Sequence, residues 1–581
     1  MRYEKQILEA YGRLGFIPRD NQVASIDEVV TAFLDEKMQN VILSAPTGTG
    51  KSIIGAVVAD VVHTIKYPGS RKNASFLLTA TNVLAAQYYE TFFDEEDPWD
   101  DTFVMVKGAG NYECSALSTP EEPQTAENCA IRLFQKSGMD DVIAKNCNQC
   151  EYGRIKAAKN RARHFITNYS YYFVDRMYTQ QLEKRTVCVF DEAHLLNDLF
   201  TEHNAIFFSE KRINQYVEEI GDNLKLGHTS VFKNLKKVKD ALVAGKIDDS
   251  NFMAYLNAMA EVYQEVTESA KAEAERNVRS QATYLKLSRM AKKYFGLHCK
   301  IDDLNIFGYQ HVFEYKEKNI KKGQNDHEVS VKPIFVGDMF DTLVNAEHNL
   351  LMSATISHQY AKRTMTLDPE KTKHIRLAPS FPPENKKVVF FKPQNLNYNT
   401  MKDPQTIKNL CASAYQIVDH HTKQGERGLI LCPSFVVVQS IAETLRGMKG
   451  NYKVFEHVRG EKLADWLDEF KRYKGGPAVL LTPSGFEGMD LPGDLSRYQI
   501  IVKAPFGSLG DKRVKTILEI YPDIYSLTTL MKITQGAGRS VRSAEDYATT
   551  YCLDTGIQRL WAAKNNEWSD EFLTTYSSIL T

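Results

Sequence analysis

Residues 44–52 read SAPTGTGKS and residues 189–194 read VFDEAH. The first is a glycine-rich loop closed by a lysine and a hydroxyl. Gly48, Thr49 and Gly50 let backbone N–H groups approach a chain of phosphates, Lys51 places a cation on the β and γ oxygens, and the Ser52 hydroxyl can ligate Mg²⁺. The loop departs from the usual pattern in having Ala45 where the first glycine normally stands. The second stretch supplies two carboxylates. Asp191 is placed to hold Mg²⁺ through its water shell, and Glu192 to polarise an attacking water. Far downstream, QGAGRSVR (535–542) sets Arg539 and Arg542 three residues apart, one turn after Gln535. Arginines on one helical face can reach a γ-phosphate from a second domain as fingers, with Gln535 beside them. The combined chemistry is hydrolysis of a Mg²⁺–nucleoside triphosphate.

A second cluster has another purpose. Cys114, Cys129, Cys147 and Cys150 are spaced C-x14-C-x17-C-x2-C, while Cys188, Cys432 and Cys552 sit in apolar strand-like runs and read as core. Three readings of the four are open: zinc, an iron–sulfur cluster, or unligated core cysteines. Zinc modules usually offer two CxxC pairs, and here there is one. A cluster needs four thiolates and tolerates irregular spacing. Five basic residues follow at once: Arg154, Lys156, Lys159, Arg161 and Arg163. On a helix starting at the last cysteine, Arg154, Lys156 and Lys159 would meet phosphates and Tyr152 would stack on a base. The alternative is a solvated face.

These groups need positioning elements. NVILSAP (40–46), TVCVFDEAH (186–194), LLMSAT (350–355), GLILCPSF (428–435), AVLLTPSG (478–485) and YQIIVKAPF (498–506) are short apolar runs ending in turn residues, as in α/β units with a parallel sheet. No proline stands between Pro123 and Pro333, which predicts a mostly helical span. Phe252, Tyr255, Leu256, Met259, Tyr263 and Val266, and likewise Leu235, Val238 and Leu242, recur at helical spacing. The expected plan is an α/β domain interrupted by a helical insertion, then a second α/β domain from about 357. The 581 residues suffice for several domains, 43% hydrophobic and 25% charged residues suit a globular protein, and the net charge of −1 confines any nucleic-acid contact to local patches. The first residues lack the apolar stretch of a secretory signal and no run is long enough to span a membrane, so a reducing, cytoplasmic setting is expected, nucleoid-associated or in a host cell if viral.

Together these motifs resemble a superfamily 2 helicase. RDNQ (19–22) is similar to the adenine-reading Q-motif, which implies that Arg19 and Gln22 contact the base. TATNVLAAQ (79–87) resembles motif Ia, which implies backbone contacts to DNA from Thr79 and Thr81. SAT (353–355) resembles motif III, which implies coupling through Ser353 and Thr355 with His194 of the DEAH box. GFEGMDLPG (485–493) resembles motif V, with Glu487 and Asp490 at the nucleotide, and QGAGRSVR resembles motif VI. The cysteine insertion opening with KGAGNYEC (107–114), and PSFPPEN (379–385), are similar to the XPD/DinG iron–sulfur helicases. That resemblance implies two RecA-like motor domains of α/β class: 1–106, 166–199 and 333–356 in the first motor, 107–165 a 4Fe–4S domain held by the four cysteines, 200–332 a helical arch, and 357–581 the second motor. It implies ATP, Mg²⁺ and the cluster as cofactors, with the cluster domain splitting the duplex. It also implies a monomer that moves 5′ to 3′ on single-stranded DNA and opens duplex or forked DNA, or an RNA–DNA hybrid, in a setting such as DNA repair. A translocase that displaces proteins or clears R-loops is the alternative. A non-enzymatic DNA-binding module would have lost Lys51, Glu192 or Arg539, and all three are present. With about eighteen residues ahead of the Q-motif, no appended nuclease domain is expected.

Overall fold

The computed structural model describes residues 1–19, 21–46, 48–92, 102–114, 125–128, 150–224, 226, 230–277, 281–321, 324–337, 339–377, 382, 385–486, 489, 491–541 and 546–563. Three sheets organise them. The first holds β1 (Asn40–Ser44), β2 (Ser75–Thr79), β3 (Phe103–Met105), β4 (His164–Asn168), β5 (Arg185–Asp191), β9 (Ala346–Ser353) and β10 (Thr372–Arg376) in the order β10-β1-β9-β5-β2-β4-β3. All its pairs are parallel. Parallel strands are covered on both faces, hence the continuous apolar runs. Val41, Leu43, Val189 and Met352 face one core with the N-terminal helices, and Ile42, Phe190 and Leu351 face the other.

A six-stranded parallel sheet makes the second α/β unit. It holds β11 (Lys386–Gln394), β12 (Gly428–Leu431), β13 (Lys453–Glu456), β14 (Ala478–Thr482), β15 (Tyr498–Ile501) and β16 (Ala548–Asp554) in the order β11-β16-β15-β12-β14-β13. All six apolar runs singled out in the sequence are strands. The expected start of the second unit at 357 needs correction, because β10 pairs with β1 on the first sheet and the Leu377 N–H donates to the Ser44 carbonyl at 2.9 Å. KHIR is too short and too polar to announce a strand.

The proline-free span is less uniformly helical than expected. Helices run over Glu210–Asn223, Ser230–Val243, Phe252–Arg276 and Gln281–Phe307. They share a core with a three-stranded antiparallel sheet of β6 (Ile206–Ser209), β7 (His311–Lys321) and β8 (Gln324–Pro333), in the order β6-β8-β7. Val329 and Val331 alternate inward, while charged residues such as Lys318 and Glu328, paired at 2.7 Å, face out. The dense outward charge hid the period-two signal.

One buried and two half-buried histidines predict an acid-sensitive fold. Burial lowers His63, His203 and His374 to about 4, assisted by Arg163, Lys300 and Arg376 respectively. An unfolded histidine takes its proton near ~6.5. Between 6.5 and 4 the unfolded chain therefore holds more protons, and stability present above that window is lost as pH falls through it. Each site contributes on the order of 1–3 kcal/mol. The urea midpoint should drop steadily between pH 7 and 5, and a flat midpoint over that range would refute the assignment.

Candidate active site between the two sheets

The strand order dictates where the motifs meet. β1, β9, β5 and β2 are neighbours, and Ser44 sits opposite Ser353 as Asp191 sits opposite Met352. The phosphate loop, SAT, the DEAH box and motif Ia therefore leave one carboxyl edge side by side, where open α/β sheets bind ligands. Gly48 and Gly50 have φ of 83° and 77°, the left-handed region that favours glycine. A Cβ on Gly50 would also lie 2.6 Å from Gln22 Nε2. Lys51 opens the helix Lys51–Lys66. That helix lies so close to the sheet that a Cβ on Gly55 would meet Val189 Cγ1 at 2.8 Å and Met352 Cε at 2.9 Å, a requirement the sequence reading missed.

A continuous polar chain crosses the site. Lys51 Nζ stands 4.0 Å from Glu192 Oε1, and Glu192 Oε2 is 3.3 Å from His194 Nδ1. His194 Nδ1 also meets Ser353 Oγ at 2.9 Å, and its Nε2 meets the Gln535 amide nitrogen at 2.5 Å. The same amide donates to Thr355 Oγ1 at 3.3 Å, and Thr355 N–H donates to Ser353 Oγ at 3.1 Å. An imidazole protonated at Nδ1 fits this set, donating towards Ser353 and Glu192 and accepting from Gln535. So His194, Ser353 and Thr355, the residues expected to couple, lie together, and Gln535, expected at the phosphoryl group, joins them to the second unit. Gln535 contacts protein groups rather than standing open to a phosphoryl group.

The two carboxylates are shifted in opposite directions. Burial, then the charge of Glu192, pushes Asp191 up to about 6 against the pull of Lys51. Glu192 is held well below the ordinary range, because Lys51, His194 and Arg539 outweigh its burial. Asp191 Oδ1 is buried without a hydrogen-bond partner. A buried carboxylate oxygen left open beside a hydroxyl residue suits a hard divalent cation with oxygen ligands, so Asp191 and Ser52 fit Mg²⁺.

Other expected contacts need correction. Gln22 is buried and spends its amide on protein: Oε1 accepts from Tyr11 Oη at 2.9 Å and from the Arg19 N–H at 3.0 Å, and Nε2 donates to the Thr49 carbonyl at 2.7 Å. Arg19 Nη1 donates to the Gly48 carbonyl at 2.6 Å. The pair grips the phosphate loop instead of facing a base. Arg539 was expected as a finger, but its guanidinium donates to the carbonyls of Phe486 and, at 3.0 Å, Met489, bracing that loop. Thr79 is fully buried and donates to the Thr81 carbonyl, so of the two only Thr81 is exposed, where it caps the helix Asn82–Phe92 through the Leu84 N–H. Lys159 is 6% exposed and turned inward, its ammonium donating to Gln181 Oε1 at 3.5 Å, instead of lying on the exposed face with Arg154 and Lys156. Arg542, Glu487, Asp490, Cys129 and Cys147 lie outside the described residues.

Cys114 is buried, and Cys150 is the N-cap of the helix Glu151–Ala158, with Arg154 and Lys156 exposed along it. Tyr112, two residues before Cys114, and Tyr152, two residues after Cys150, touch at 5.4 Å between ring centroids, so the two segments adjoin. The end of this helix is anchored by Arg185, which sequence reading missed. Arg185 is 3% exposed, stacks over Phe76 and Phe165, and donates to the carbonyls of Ser75, Lys159, Ala162 and Arg163. Beside it, buried Asp60 accepts from Arg13 and Arg163, each at 2.6 Å. Arg513, also unforeseen, donates to Asp198 at 3.2 Å and to the Ile334 carbonyl at 2.9 Å, fastening the second unit to the first.

A phosphate loop and a DEAH box on one parallel sheet, met by a glutamine from the helix Pro522–Ala537 of the second α/β unit, make a P-loop nucleotide site of the kind found in superfamily 2 motors. Known proteins agree. Residues 15–233 match the family described as type III restriction enzyme, res subunit, and residues 417–571 match the helicase C-terminal domain. The chain is similar to the ATP-dependent DNA helicase DinG of Photobacterium profundum, 21% identical over 95% of this chain and 96% of the relative. It is also similar to the ATP-dependent DNA helicase YoaA of Escherichia coli, 20% identical over 94% of this chain and 92% of the relative. A solved XPD helicase shares the fold, with a TM-score of 0.58 and 15% identity over 95% of this chain and 98% of its own. Over nearly its whole length the chain is thus similar to the DinG and YoaA ATP-dependent DNA helicases, and it shares the fold of XPD. Among the described residues no helix is long and apolar enough to cross a membrane.

Proposed function

We infer that the protein is an ATP-dependent DNA helicase. The observation that carries this reading is the polar chain Lys51–Glu192–His194–Gln535, which links the phosphate loop to a helix of the second α/β unit. Lys51 neutralises the β and γ oxygens. Ser52 and Asp191 hold Mg²⁺, which when bound draws charge from the leaving phosphate oxygens. Glu192, ionised at neutral pH, orients the water. When the γ-phosphate leaves, Glu192 and His194 rearrange, and Gln535 carries the change to the second motor domain, ratcheting single-stranded DNA between the domains.

The finer reading is a monomeric 5′-to-3′ motor that runs on single-stranded DNA and splits forked duplex at an iron–sulfur domain. Cys114, buried, and Cys150, half-buried at a helix start, are suited as two of four thiolate ligands by position and by the Tyr112–Tyr152 contact between their segments. Arg185 supports the wedge role, since it ties the helix after Cys150 to β5, the strand that carries the DEAH box. Strand displacement from forks with only a 5′ or only a 3′ tail, run beside ATP hydrolysis, tests the reading. Opening of the 5′-tailed fork alone is expected. Hydrolysis without strand displacement on either fork would leave a translocase.

Arg154 and Lys156 give a separate test. Exchanging both for glutamine should weaken DNA binding across sequences and lower the slope of log affinity against log salt by about 1–2, at roughly 0.7 per phosphate contact on single strands. An unchanged slope would place this face in solvent.

A further inference from the structure

Tyr88 lies two turns into the helix Asn82–Phe92, with its side chain 5% exposed. Its hydroxyl stands next to Ser52 and Asp191 but makes no well-formed hydrogen bond to either. Two buried polar atoms, Tyr88 Oη and Asp191 Oδ1, are thus left without partners around one small space. For packing alone, a leucine or phenylalanine on this helix face would do, and it would avoid burying a hydroxyl unsatisfied. A hydroxyl kept there needs a partner in some state of the molecule, and the space it faces is the one assigned to Mg²⁺.

We propose that Tyr88 is a positioning residue of the Mg²⁺ site, whose hydroxyl donates to the oxygen shell shared by Asp191 and the bound cation and so aims that carboxylate at the metal. The proposal rests on the reading of Ser52 and Asp191 as the Mg²⁺ residues. It adds a residue from the motif Ia helix to a site otherwise built from the phosphate loop and the DEAH box. Because Thr81 opens that same helix, the metal shell and the expected DNA contact sit on one rigid rod.

The test is binding of a fluorescent N-methylanthraniloyl-ATP to the full chain, in EDTA and across a Mg²⁺ titration, for the wild type and Tyr88→Phe. The phenylalanine keeps the ring and removes only the hydroxyl. The Mg²⁺ concentration at half-saturation should rise about five- to tenfold, as for one lost hydrogen bond, while affinity in EDTA stays within about twofold. Tyr88→Leu, which fills the same space differently, should give the same Mg²⁺ shift and covers the case in which the phenylalanine variant fails to fold. Equal Mg²⁺ half-saturation in wild type and variant overturns the proposal. So does a parallel loss of affinity with and without Mg²⁺, which would mark a packing role. If the wild type itself shows no Mg²⁺ dependence, the assignment of Ser52 and Asp191 falls first, and the Tyr88 proposal with it.

Discussion

Lys51→Ala abolishes ATP hydrolysis and, with it, strand displacement. The side chain is 12% exposed and its cation is balanced by Glu192 at 4.0 Å. Among the described residues, the two other candidate cations are engaged elsewhere: Arg19 on the Gly48 carbonyl and Arg539 on the carbonyls of Phe486 and Met489. Preorganised cations on a transferring phosphoryl group are worth factors of ~10²–10³ or more. The expected result is at least a hundredfold fall in DNA-stimulated turnover. The loop backbone, set by Gly48 and Gly50, is left in place, so the melting temperature should move little. Release of phosphate and unwinding of a fork, measured on the same preparation, decide it. A variant that retains either activity would remove the phosphate loop from the mechanism.

The second large effect is expected at Cys150. Cysteine-to-serine exchange is unusually clean here, because position 150 is a helix N-cap and serine is among the best residues for an N-cap. The helix Glu151–Ala158 therefore keeps its start, and Arg185 still holds its end. A loss of metal and of unwinding then reports the thiolate and not the helix. Anaerobically prepared wild type should carry about four irons and a band near ~400 nm, as a cysteine-ligated cluster does. Cys150→Ser should lose most of that iron and fall about tenfold or more in strand displacement, while ATP hydrolysis stays within about threefold, since the polar chain through Lys51 and Glu192 runs elsewhere. Zinc without iron in the wild type would leave the motor and remove the cluster. Full unwinding by the variant would remove the wedge.

What could be read from the residues alone follows a physical line. Apolar runs bounded by turn residues marked six central strands, because strands buried on both faces have no polar positions to blur them. Short or charged elements escaped: β10 is polar, and the β7–β8 hairpin is dense in lysine and glutamate. Among site residues, type and spacing located Lys51, Asp191, Glu192, His194, Ser353 and Gln535, since strand order then brings them together. Orientation was not legible. Whether the amide of Gln22 faces a base or the Thr49 carbonyl, whether Arg539 reaches outward or braces Phe486, and whether Lys159 points to solvent or inward are all set by neighbours remote in the chain. Tyr11, which holds Gln22, and Arg185, which holds the helix after Cys150, carry no motif because their partners are backbone carbonyls and one amide oxygen.

The placement of β1 has a bearing on how the chain is made. Its two neighbours, β9 and β10, are translated long after it, and Asn40 meets Thr372 across 332 positions. At about 5–20 residues per second, β1 waits roughly 20–65 s after leaving the ribosome before its last neighbour exists. During that interval an apolar strand presents unpaired edges, the condition under which chains pair with the wrong partner. A fragment ended at 356 would keep that edge bare for good, whereas one ended after Leu377 would close it.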